Sequence, residues 1–215
     1  MTQPHDHDHG DPHAAIEDAG GPPSEFELLE RALRELLIEK GVFKAEDIRR
    51  TIDEMDTKSP ADGARVVAHA WSDAAYKGRL LDDAKAAVEE LGFDLGPAPG
   101  LVVLENTPAR HHVVVCTLCS CYPRILLGLP PDWYKSRAYR SRVVADPRGV
   151  LESEFGTEIP AGQEVQVVDS TADLRYLILP ERPAGTGGMS EDELAALVTR
   201  DCMIGVTRAD PPASH

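Results

Sequence analysis

The sequence predicts an α+β chain, with a helical N-terminal region followed by an α/β-type domain. Three observations predict it. Apolar residues recur at helical spacing through the first ninety residues. The run Gly96-Pro97-Ala98-Pro99-Gly100 then breaks the pattern. Beyond it, short Val-, Ile- and Leu-rich runs alternate with helical stretches. The expected organisation is a His/Asp-rich disordered tail over 1–23, a helical region over 24–95 and a metal-binding domain over 96–215.

The elements follow in order. Ser24 and Glu27 form an S-x-x-E capping box. Phe26, Leu29, Leu33, Leu36 and Leu37 then trace one helix face, and Gly41 ends the helix. A second helix is predicted over 45–55. A third starts at Ser59-Pro60, where proline suits the first helical position. A fourth is predicted from Ser72 to Leu91, ended by Gly92. The narrow apolar stripes of this region suit an arm that packs on a partner as well as on its own domain. Strands are predicted at 101–104, 113–115, 164–168 and 176–179, with helices near 130–141, 147–155 and 191–200.

Composition excludes several classes of function. The formal net charge is −15, so no basic surplus exists to neutralise nucleic-acid phosphates or to dock on an anionic membrane. No apolar run approaches the roughly 20 residues of a membrane span. The N-terminus is polar and acidic, unlike a secretory signal, and the cytoplasm is the expected location. The tract His5-Asp6-His7-Asp8-His9 can bind divalent metals weakly, and as a plain solvated tail it need not.

The chemistry concentrates in Cys116-Thr117-Leu118-Cys119-Ser120-Cys121, which holds three of the four cysteines. Such a cluster reads as metal-binding or catalytic, not as a disulfide framework. A structural zinc site commonly uses two separated C-x-x-C pairs. A Cys3His site borrowing His111 or His112 stays open. The tight end of the cluster offers another arrangement. If the peptide nitrogens of Ser120 and Cys121 lose their protons, they form chelate rings with the sulfurs of Cys119 and Cys121. Two nitrogens and two sulfurs then lie in one plane. Cys116 reaches an axial position with its thiolate, and a sixth position stays open. Donors this strong suit a low-spin trivalent ion, cobalt or iron, better than zinc.

Val115-Cys116-Thr117-Leu118-Cys119-Ser120-Cys121-Tyr122-Pro123 resembles the metal-claw motif of the nitrile hydratase α subunit. The likeness extends through His111-His112, Leu127-Gly128-Leu129-Pro130-Pro131, Trp133-Tyr134-Lys135, Tyr139-Arg140-Ser141-Arg142, Asp169-Ser170, Arg175-Tyr176 and Val198-Thr199-Arg200-Asp201. Thr117 resembles the cobalt branch of the family.

This resemblance implies a layered α/β/β/α domain carrying the claw loop. It implies a nitrile-hydrating enzyme with Co(III), or alternatively Fe(III), held by Cys116, Cys119, Ser120 and Cys121. Cys116 would remain a thiolate, Cys119 would be a sulfinate and Cys121 a sulfenate. Cys121, with Ser120 and Cys119, would carry the catalysis. Asp169, Asp173 and Arg175 match a supporting network. A β subunit would complete the pocket in a heterodimer or α2β2 assembly, and a maturation or activator protein would load the metal.

Four positions depart from the common pattern: Arg124-Ile125 for Trp-Pro, Met189 for Trp and Cys202 for Ser. Arg124 and Cys202 resemble the γ subunit of thiocyanate hydrolase, a relative with the same claw. Arg124 is therefore a candidate for tuning the substrate, because a cation near a cleft mouth favours anionic or polar substrates.

Overall fold

A computed structural model of the chain describes residues 22–96, 99–119 and 121–212. The predicted tail and its His/Asp tract therefore lie almost wholly outside the described residues. So does Ser120. The chain divides into two compact units, one ending at Thr57 and one running from Lys58.

The first unit holds α1 (Glu25–Glu39) and α2 (Ala45–Asp56). The capping box forms as the sequence predicts. The Glu27 amide donates to Ser24 Oγ at 3.3 Å and the Ser24 amide to Glu27 Oε2 at 2.6 Å. Neither helix has a buried residue. On α1, Phe26, Leu29, Leu33 and Leu36 are all exposed, Phe26 to 82%. Their spacing makes one apolar face.

The second unit begins with α3 (Pro60–Ser72), α4 (Ala74–Asp82) and α5 (Ala84–Glu90). The single helix expected over 72–91 is thus two helices. Asp73 accepts from the Ala75 and Tyr76 amides, and Asp83 from the Ala86 amide. Each carboxylate offers the backbone a local bond that starts a new helix and ends the old one.

Four strands follow: β1 (Gly100–Glu105), β2 (Arg110–Val115), β3 (Glu164–Asp169) and β4 (Leu174–Leu179). They contain every predicted strand. β1 pairs in parallel with β4, and β2 with β3. Tight turns at Thr107–Arg110 and Thr171–Leu174 each carry the chain from one pair to the other. β2 lies against β4, so the two pairs form adjacent layers. Helices α4 and α5 cover β1. The result is the α/β/β/α layering that the resemblance implies. Val113–Val115 and Leu177–Leu179 are fully buried, as parallel strands covered on both faces require.

Between β2 and β3 run α6 (Arg124–Leu127), α7 (Asp132–Lys135), α8 (Arg137–Ala145) and α9 (Pro147–Phe155). The last is where the sequence places it, and it packs on β3. The helix expected near 130–141 is broken at Ser136, which is extended and accepts from the Tyr139 amide at 3.1 Å. The helix expected over 191–200 stops early, as α10 (Glu191–Ala195), and a further helix, α11 (Arg200–Ile204), begins where it was expected to end. Thr199 Oγ1 caps α11 through the Cys202 amide. α11 packs on β2 and β4, and Gly205 ends it at φ 90°. A Cβ there would lie 2.0 Å from the His112 carbonyl oxygen, so only glycine permits this approach.

Candidate metal centre

The cysteine loop leaves the carboxyl end of β2 beside the carboxyl end of β3, where Val115 and Asp169 are register partners. Crevices outside the carboxyl ends of parallel strands are a common place for ligands. Buried Cys116 follows β2 directly. The sulfurs of Cys116 and Cys119 are 3.3 Å apart, and those of Cys119 and Cys121 are 3.1 Å apart. All three lie within 4.8 Å of one another. Among the described residues this is the only group of three His, Cys, Asp or Glu side chains close enough to share an ion.

The Cys3His alternative does not form. His111 Nε2 lies 2.7 Å from the Gly205 carbonyl, so that nitrogen carries the proton and donates. Its Nδ1 then accepts from Asn106 Nδ2 at 3.1 Å. His112 donates both its backbone N–H and Nδ1 to Asn106 Oδ1, at 2.7 and 3.2 Å. Burial lowers the pKa of both rings, which keeps them neutral in these roles.

The loop is held at several points. Asp169 accepts from Thr117 N at 3.0 Å and from Thr117 Oγ1 at 2.5 Å. The Cys119 amide donates to Cys116 Sγ at 3.3 Å, and Arg140 Nη1 to the Thr117 carbonyl at 3.3 Å. Two buried tyrosines reach the backbone on either side of the cysteines. Tyr139 donates to the Val114 carbonyl at 3.0 Å and Tyr134 to the Cys121 carbonyl at 2.8 Å. Burial pushes both phenols well above their ordinary pKa, so they remain donors.

Cys119 and Cys121 open onto a cleft of about 350 Å³. Leu95, Pro99, Leu101 and Ile125 form its apolar walls, and Arg124 and Arg175 are its cations. Arg175 Nη1 is buried and has no hydrogen-bond partner among the described residues. Burial pushes the Cys121 thiol up to about 12, and the sulfurs of Cys119 and Cys116 add to the shift. The crowded Cys121 thiol resists ionisation by itself, and a multivalent cation beside it reverses that balance. The donor set therefore fits a thiophilic ion. An oxygen on Cys119 or Cys121 would also give Arg175 the acceptor it lacks.

Of the three supporting residues named from sequence, Asp169 braces the loop and Arg175 lines the cleft. Asp173 is exposed at the turn before β4, where its carbonyl accepts from the Gly100 amide at 2.8 Å. Among the described residues these three side chains do not hydrogen-bond one another. Sequence reasoning gives Tyr134, Tyr139 and Arg140 no role beyond their place in the family likeness. A signal was present in the tyrosines, because a phenol buried in a core normally reaches an acceptor.

The family model described as nitrile hydratase, alpha chain, matches residues 24–207. The chain belongs to this family. A high-molecular-weight cobalt-containing nitrile hydratase α subunit of Rhodococcus rhodochrous is 50% identical over 190 residues, covering 88% of this chain and 94% of that one. The thiocyanate hydrolase γ subunit of Thiobacillus thioparus is 47% identical, covering 87% and 82%. Among solved structures, a double mutant of the iron-type nitrile hydratase of Comamonas testosteroni Ni1 superposes with a TM-score of 0.79 at 42% identity, covering 88% and 94%. No helix among the described residues is long and apolar enough to cross a membrane.

Proposed function

We propose that this chain is the metal-bearing α subunit of a nitrile hydratase, which adds water to the C≡N group of a nitrile to give the amide. One observation carries the reading. In a chain of this family, three cysteine sulfurs lie within 4.8 Å of one another where a loop meets a cleft.

Cobalt(III) is the proposed ion, with iron(III) as the alternative. The cobalt-containing Rhodococcus relative and Thr117 favour cobalt. Cys116, Cys119 and Cys121 would hold the ion through sulfur, and Ser120 and Cys121 through their backbone nitrogens. Bound there, the ion supplies Lewis acidity to the nitrile. Cys119 is proposed as a sulfinate and Cys121 as a sulfenate. The sulfenate oxygen of Cys121 would either attack the nitrile carbon, with water then releasing the product from sulfur and restoring the S–O group, or take a proton from the attacking water and return it to the nitrile nitrogen. Arg175 holds a sulfur oxygen, Asp169 braces the loop, and Asp173 stands further out. Leu95, Pro99, Leu101 and Ile125 exclude water from the organic end of the substrate.

All the proposed ligands fall in residues 96–215, the proposed catalytic domain. A β subunit is proposed to complete the pocket, and the exposed face of Phe26, Leu29, Leu33 and Leu36 supports a surface for it. Metal loading by an activator protein and a cytoplasmic location belong to the same reading, since a thiolate site suits a reducing compartment.

Arg124 supports a second reading, hydrolysis of thiocyanate to carbonyl sulfide and ammonia. It lines the cleft, and the thiocyanate hydrolase relative shares 47% identity. One experiment decides. The chain is co-expressed with its partner subunit or subunits and supplied with cobalt. The optical spectrum and the products from a simple nitrile and from thiocyanate are then recorded. The expected result is a sulfur-to-metal charge-transfer band and amide. Carbonyl sulfide and ammonia from thiocyanate, with no amide from nitriles, overturns the first reading in favour of the second. Lack of a charge-transfer band overturns both.

A further inference from the structure

We infer that Tyr134 is a positioning residue for the metal centre, acting through one hydrogen bond from its phenol to the Cys121 carbonyl. The inference rests on the metal-centre reading of the cysteine loop.

The loop has unequal ends. Its start is continuous with β2, whose ladder with β3 runs to the Val115–Asp169 pair. Thr117 is bound to Asp169, and the Cys119 amide to the Cys116 sulfur. Its exit, from Cys121 to Pro123, lies outside any strand or helix. There the Cys121 carbonyl meets Tyr134 at 2.8 Å. That bond orients the peptide plane leaving Cys121, and with it the Cα from which the Cys121 sulfur hangs.

Tyr134 is built for a fixed position. It is fully buried, and its ring meets Tyr122 edge-on at 5.4 Å and Trp133 at 5.9 Å. Tyr139, five residues later and across the Ser136 break, sits 6.1 Å from it and binds the Val114 carbonyl. The two phenols thus grip the chain before the first cysteine and at the last. Tyr134 does not line the cleft, so it acts on the centre through the backbone and does not touch substrate. A hydrogen bond that fixes one donor relative to two others lowers the reorganisation needed to bind an ion.

The test is an anaerobic titration of the full reduced chain with cobalt(II), followed by sulfur-to-cobalt charge-transfer absorption. Wild type, Tyr134→Phe and Tyr76→Phe are compared. Tyr134→Phe keeps the ring and removes only the hydroxyl. Its cobalt(II) affinity is expected to fall about tenfold or more, the usual effect of losing an outer contact to a metal ligand. Tyr76→Phe, which removes a buried phenol that donates to the Ala87 carbonyl at 3.1 Å away from the loop, is expected to lower the melting temperature and leave affinity within about twofold. The inference is overturned if folded Tyr134→Phe binds cobalt(II) like wild type. It is equally overturned if Tyr76→Phe weakens binding as much, since the effect is then one of general stability. Should Tyr134→Phe not fold alone, the complex with its partner subunit is purified and its cobalt content measured. A full complement there overturns the inference. Failure of the wild type to bind cobalt(II) is a different outcome, which removes the metal-centre reading itself.

Discussion

Asp169 accepts two hydrogen bonds from Thr117, one from its amide at 3.0 Å and one from its hydroxyl at 2.5 Å. The last residue of β3 thereby holds the residue just after the first cysteine. Asp169→Ala removes both bonds, each contributing about 1 kcal/mol net because water can replace the acceptor at exposed Thr117. We expect a lower melting temperature and less metal per chain. Wild-type metal content in a folded Asp169→Ala protein would show that the brace does not serve the centre.

Cysteine replacements should rank by donor role. Cys116→Ala removes the buried sulfur that also accepts from the Cys119 amide. Metal content is expected to drop to near background, with loss of the charge-transfer band. Cys202→Ser should leave both intact, because Cys202 is buried in α11 and its thiol donates to the Thr199 carbonyl at 3.1 Å. Elemental analysis and absorption spectra of the two purified proteins check this.

Arg124 puts a cation on a cleft whose walls are mainly apolar. Arg124→Trp is expected to lower kcat/KM for thiocyanate or an anionic nitrile relative to a neutral nitrile by about tenfold, since fields in clefts concentrate counter-ions. The measurement is the ratio of the two rates over a range of salt concentrations. An unchanged ratio excludes a selective role for this residue.

Gly205→Ala places a Cβ 2.0 Å from the His112 carbonyl oxygen at a backbone φ of 90°. Strain and overlap together are expected to cost about 3 kcal/mol or more. Chemical denaturation should show a lower midpoint, and a midpoint equal to wild type would mean that α11 can shift away from β2.

His111 and His112 have pKa values lowered from 6.5 chiefly by burial. The sign follows from proton binding. Below 6.5 the unfolded chain takes up protons that the folded chain resists. The stability tied to neutral rings is therefore full above 6.5 and is lost as pH falls below it. The expected slope is positive, with about 1.4 kcal/mol per pH unit for each ring as its upper limit. Unfolding curves at several pH values test it, and His111→Gln should flatten the dependence.

Much of the site was legible in the sequence because it is local. Cys116, Cys119 and Cys121 sit within six residues, so short-range geometry alone brings their sulfurs together. The strand segments were legible too, because Val113–Val115 and Leu177–Leu179 are continuous apolar runs buried on both faces. Helix breaks at Asp83 and Ser136 were not. There a single side chain competes with the helix for backbone donors, and apolar spacing does not record that competition.

What the sequence by itself determined is the claw motif, the strand segments and the apolar face of α1. Only the tertiary structure decided how residues distant in the chain reach the claw. Asp169 lies 52 positions from Thr117, and parallel pairing of β2 with β3 brings them together. Tyr134 reaches Cys121 because a buried phenol must find an acceptor and the break at Ser136 turns α7 and α8 toward the loop. Such pairings depend on where a folded core leaves a polar group in need of a partner, and chain order does not carry that information.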